Sequence, residues 1–63
     1  MSLQFNVGDL AIIQFPYEYE HNGEIVEIVY APKVGEFLRY SVKYADGGWT
    51  SVKPEYLTPI FTI

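Results

Sequence analysis

Residues 44–57 read YADGGWTSVKPEYL, and the fold is decided there. Asp46-Gly47-Gly48 is a hairpin turn, because an Asp-Gly pair supplies the positive φ angles such turns demand. The residues leading into it, FLRYSVKY (37–44), alternate: Leu38, Tyr40, Val42 and Tyr44 lie on one face, Arg39, Ser41 and Lys43 on the other. That is the period of a half-buried strand with a solvated outer face. WTSV (49–52) returns antiparallel to it. KPEYL (53–57) then fits a single helical turn, with Pro54 suited to a first helical position and Glu55 to the positive end of the backbone dipole. Thr58-Pro59 stops that helix, and IFTI (60–63) is expected to close the chain as a last short strand.

Working outward toward the N-terminus, LAIIQF (10–15) reads as a strand entered through Val7-Gly8-Asp9. PYEYEHN (16–22) is polar and aromatic, and too long for a tight hairpin turn. GEIVEIVY (23–30) does not alternate cleanly, since Ile25, Val26, Ile28 and Val29 surround Glu27. Helical spacing also accounts for part of this pattern. Four β-branched residues behind a glycine favour a strand, either covered on both faces or bent by a bulge. APKVGE (31–36) is a second loop. Residues 1–63 therefore form one all-β domain of five short strands, with helix confined to one turn before the last strand.

Composition sets the remaining bounds. With no Cys and a single His, neither disulfides nor a classical zinc site is available to a chain of 63 residues. Stability has to come from a dense apolar core or from association, and 49% hydrophobic residues supply the material. The apolar runs are only a few residues long, far short of a membrane span, and no basic segment followed by an apolar stretch opens the sequence. A cytoplasmic protein is expected. The formal net charge is -4 and unevenly spread: Asp9, Glu18, Glu20, Glu24 and Glu27 precede any cation, while Lys33, Arg39, Lys43 and Lys53 all fall in the second half. Four scattered cations are too few for the counterion release that drives nucleic-acid binding, so no nucleic-acid partner is expected.

VGDLAIIQF, GEIVEIVY, YSVKYADGGW and SVKPEYLTPI together resemble the Tudor/Agenet class of SH3-like barrels, from Phe5 to Ile60. The resemblance implies a single five-stranded SH3-like barrel with one short 3-10 turn before the last strand, acting as a binding module. The first half also resembles a KOW motif, a barrel used on RNA and protein. Its usual Lys and Arg are absent here before Lys33. A third, weaker resemblance is to the plasmid- and integron-borne type B dihydrofolate reductases, through Phe5, Gly8-Asp9, Gly23, Ile25-Val26, Val52, Pro54 and Leu57. It implies a symmetric oligomer with a ligand pore, but the Val-Gln-Ile-Tyr segment on which that family's pore depends is replaced here by TSVKP.

No catalytic constellation, cofactor motif or metal set is visible. Glu24 and Glu27 are three apart in a strand and point to opposite faces. His21 reads as an exposed loop residue without a nucleophile to serve. The candidate binding surface is aromatic: Tyr17, Tyr19, Tyr44 and Trp49 as walls of a pocket for a cation or peptide. Trp49 packed across the hairpin against Tyr44 or Tyr40 is the competing reading. Tyr17-Glu18-Tyr19-Glu20 suits a basic or proline-rich protein partner. An acidic mimic of nucleic acid is a further reading of the charge-rich first half. Ile60, Phe61 and Ile63 are expected to join subunits of a homo-oligomer, since on a monomer they would leave an apolar patch.

Overall fold

The computed structural model describes residues 5–60. They form one antiparallel sheet of five strands: β1 (Leu10–Ile13), β2 (Ile25–Tyr30), β3 (Tyr40–Lys43), β4 (Trp49–Val52) and β5 (Leu57–Pro59). Their spatial order is β4-β3-β2-β1-β5, and a 3-10 turn at Pro54–Tyr56 carries the chain from β4 to β5. Among the described residues β4 and β5 do not pair, so the sheet is open and these two strands are its edges.

The strands bury one face. Ala11, Ile13, Val26, Ile28, Tyr40, Val42, Val52 and Leu57 point inward, with Tyr44 and Phe5 completing the core. Phe5 meets the Tyr40 ring edge-on at 5.4 Å and donates its backbone N–H to the Tyr40 hydroxyl. Each fully buried Val or Ile contributes about 1.5–3 kcal/mol over its exposed state. With no disulfide among these residues, this face holds the fold together.

The broken alternation of β2 has its cause in a bulge. Ile28 pairs with Val42 and Tyr30 with Ser41, so two steps on β2 match one on β3. Val26 and Ile28 therefore face the core, while Val29 and Tyr30 both turn outward. The 45–48 hairpin closes through Gly47 N–H to Tyr44 O (3.0 Å) and Tyr44 N–H to Gly48 O (2.7 Å). Only Gly47 takes a positive φ there, at 95°, and Asp46 instead caps the turn by accepting the Gly48 N–H.

Two expectations are corrected. The strand after the 3-10 turn does not start at Ile60: it is Leu57–Pro59, because Leu57 is the core residue opposite Ile13. Pro59 is tolerated inside it because β5 is an edge, where the missing N–H has no ladder partner to serve. Ile60 follows as half-buried coil, and the proposed contacts of Phe61 and Ile63 lie outside the described residues. Strand β3 is also shorter than its sequence pattern, starting at Tyr40. Leu38 lies before it and is exposed rather than in the core.

Candidate functional site

The loop joining β1 to β2 is long but tightly held. Its base extends the β1–β2 ladder through Gly23 N–H to Ile13 O (2.8 Å) and Ile13 N–H to Glu24 O (3.1 Å). Gln14 N–H donates to Tyr56 O at 2.9 Å, tying the loop to the 3-10 turn. Inside the loop, the Asn22 side chain accepts the Phe15 N–H and donates to the Tyr17 carbonyl, both at 2.8 Å. One amide thereby satisfies backbone groups that would otherwise need water.

That clamp sets a cluster of rings around Phe15. Tyr17 stacks on it with centroids 5.2 Å apart, Tyr19 meets it edge-on at 4.8 Å, and Tyr56 lies tilted at 4.9 Å. Tyr17 is well exposed, whereas Phe15, Tyr19 and Tyr56 are half-buried. Behind the cluster, the Tyr19 and Tyr44 hydroxyls are hydrogen-bonded. Burial first, and then that bond, push the Tyr44 phenol well above its usual range, so it stays protonated. His21 stacks on Tyr44 at 4.0 Å, and its Nδ1 lies 3.0 Å from Glu24 Oε2. His21 is thus a half-buried support and not the exposed loop residue its sequence context suggests. The chain turns at this point, laying the imidazole over the Tyr44 ring.

Facing the rings across a cleft of about 390 Å³ are Arg39, Thr50, Ser51, Val52 and Lys53. Arg39 and Lys53 also border a neighbouring depression of about 290 Å³, lined otherwise by Phe37, Leu38, Pro54 and Glu55. The two hollows meet at Arg39 and Lys53, which line both, with the rings beyond one and Phe37, Leu38, Pro54 and Glu55 around the other. Tyr40 pairs with Val52, so continuing that register one step sets Arg39 opposite Lys53. Like charges at facing positions repel. Among the described residues both ion pairs belong to His21, so neither cation is in one, although the Glu55 carboxylate borders the same depression.

Of the four aromatics expected to form one pocket, Tyr17 and Tyr19 line the cleft, while Tyr44 is a buried strut beneath it. Trp49 is elsewhere. It is 70% exposed, on the outer face of β4, and its cross-strand partner is Lys43 rather than Tyr44 or Tyr40. The alternation explains this, since Val42 and Tyr40 take the inward positions and leave Lys43 and Trp49 outside. Phe15, Tyr56, Arg39 and Lys53 complete the groove, and sequence reading did not single them out. The signal for the two cations was present: a turn at 45–48 fixes a register in which 39 and 53 oppose each other.

Among the described residues no group of three His, Asp or Glu side chains is placed to hold a metal ion, and no helix is long and apolar enough to cross a membrane. Comparison of the chain with protein-family models, with curated proteins and with solved structures finds no match.

Proposed function

We propose that this chain is a small SH3-like barrel that acts as a non-enzymatic adaptor, binding an extended protein segment in the groove between the β1–β2 loop and the β4–β5 turn. The strand order, the long first loop and the 3-10 turn before β5 support the barrel reading. One observation carries the binding reading: Arg39 and Lys53 line both hollows, between the rings of Phe15, Tyr17 and Tyr56 and the apolar side chains of Phe37 and Leu38, and among the described residues neither is in an ion pair. Such a groove matches a peptide of hydrophobic–acidic–hydrophobic pattern. Its first apolar side chain stacks on Tyr17 and Tyr56, its carboxylate bridges the two cations, and its second apolar side chain rests on Phe37 and Leu38. The Thr50 and Ser51 hydroxyls and backbone are at hand for main-chain hydrogen bonds.

The partner's charge is therefore opposite to the one the Tyr-Glu loop suggests. Glu18 and Glu20 border the loop's outside, while the groove itself is cationic. Nucleic acid is not the partner in this reading, because two adjacent cations are far fewer than a phosphate backbone requires. The test is selection from a random peptide display library. Enrichment of acidic residues flanked by apolar ones is expected, with binding lost in Arg39→Glu and weakened in Tyr17→Ala. Enrichment of Lys- or Arg-rich peptides, or binding indifferent to Arg39→Glu, would overturn the reading.

A further inference from the structure

The outer face of the sheet carries a row that the groove does not use. The strand registers pair Leu10 with Glu27, Glu27 with Lys43 and Lys43 with Trp49, so these four side chains cross β1, β2, β3 and β4 in one line. All four are exposed, Leu10 at 50% and Trp49 at 70%. Ile25, 55% exposed, and Ala45 flank the line and share with Leu10, Glu27 and Lys43 a shallow hollow of about 290 Å³. Glu27 and Lys43 are cross-strand neighbours, yet among the described residues the ion pairs both belong to His21. Each of the two charges remains free to meet another.

The order along the row is apolar, negative, positive, apolar. Reversed, it complements itself. A two-fold axis lying in the interface, parallel to the strands and midway between β2 and β3, lays one such face on a second copy. Leu10 then meets the partner's Trp49, and Glu27 meets the partner's Lys43, each contact occurring twice as a two-fold interface requires. The same operation places Ile25 over the small residues of the partner's 45–48 turn. We infer that the outer sheet face is a homodimer interface, occupied by a second copy of this chain. Self-complementarity of charge selects that occupant over an unrelated partner, which would need no such symmetry. The face is only four short strands wide, so the dimer is weak, with a Kd on the order of tens of micromolar. Arg39, Ser51 and Lys53 share this outer face by strand alternation but lie two to four residues further along β3 and β4, outside the row itself.

Charge swapping tests this with the full chain, using sedimentation velocity from low to high micromolar concentration and the emission of the sole Trp. The native chain is expected to dimerise with a blue shift of Trp49 emission as the ring is covered. Lys43→Glu and Glu27→Lys, each placing like charges in both contacts, are each expected to weaken the dimer at least about tenfold. An equimolar mixture of the two variants should associate again as a heterodimer, and the double variant should dimerise like the native chain, since its row is self-complementary in the opposite order. These positions are exposed, and far-UV circular dichroism confirms that each variant is folded. A native chain that stays monomeric, single variants that dimerise like it, or a mixture no better associated than its components would overturn the inference. So would a dimer abolished by deleting residues 61–63, which would move the contact to the C-terminal segment.

Discussion

The two long loops, 14–24 and 31–39, leave opposite ends of β2 and are built on different principles. The first is packed from within: Phe15 gathers Tyr17, Tyr19 and Tyr56, and Asn22 satisfies the backbone on both sides of the ring. The second turns its apolar residues outward, with Val34, Phe37 and Leu38 all exposed. A single carboxylate organises it, Glu36 accepting from the Tyr30 hydroxyl at 2.7 Å and the Lys33 N–H at 2.8 Å. The ring cluster is thus a fixed platform facing β4, while the second loop borders the neighbouring depression with exposed apolar side chains that have little to lose by moving. A groove with one rigid and one yielding side orders only half of its surface on binding, which limits the entropic cost of recognition.

This contrast is broken most directly at Phe15. Phe15→Ala removes the hub of the first loop and should cost about 2 kcal/mol in urea unfolding, below the range for a fully buried Phe because the ring is half-exposed. A loss comparable to an ordinary surface substitution would mean that the first loop is no better anchored than the second. Asn22→Ala strands the partly buried Phe15 N–H and should cost about 1 kcal/mol, with faster amide exchange across 15–22. Acid sharpens the comparison from the other side. The Lys33 N–H, and then the Tyr30 hydroxyl, hold the Glu36 carboxyl below its usual range. A depressed folded value stabilises the loop above the unfolded pKa, and that contribution is lost as pH falls through the folded one. The protection factors of the 33–36 amides should therefore fall as pH drops through the folded carboxyl's titration, and Glu36→Gln should remove that acid dependence. The smallest effect belongs to Phe37→Ala, expected within about 0.5 kcal/mol of the native stability because the ring touches little in the unbound chain.

The sequence carried these elements unequally. The 45–48 hairpin and the 3-10 turn were legible because Gly47 and Pro54 act through local backbone preference alone. The non-alternating β2 pattern was compatible with a strand covered on both faces or with a bulge, and only the pairing with β3 decides for the bulge. The position of β5 was not legible: which of Leu57 or Ile60 enters the core depends on where the 3-10 turn delivers the chain against Ile13, a tertiary matter. Trp49 shows the same limit at the site. Its size suggested either core or pocket, but the turn's register placed it opposite Lys43, outside both. Tyr17 and Tyr19 stood out because they alternate with Glu18 and Glu20 in a long polar loop, and both line the cleft. Arg39 and Lys53 were missed because their pairing becomes visible only when the hairpin register is counted outward from the turn.

Under the proposed function a peptide binds in the groove lined by Tyr17, Tyr56, Arg39 and Lys53 and not at the row of Leu10, Glu27, Lys43 and Trp49. Heteronuclear NMR titration with a hydrophobic–acidic–hydrophobic peptide measures this directly. Amide shifts are expected to concentrate at Tyr17, Arg39, Ser51, Lys53 and Tyr56, with larger movements in 33–39 than in 15–22 and none at Leu10 or Glu27. Shifts confined to Leu10, Glu27, Lys43 and Trp49, with the groove residues unmoved, would contradict it.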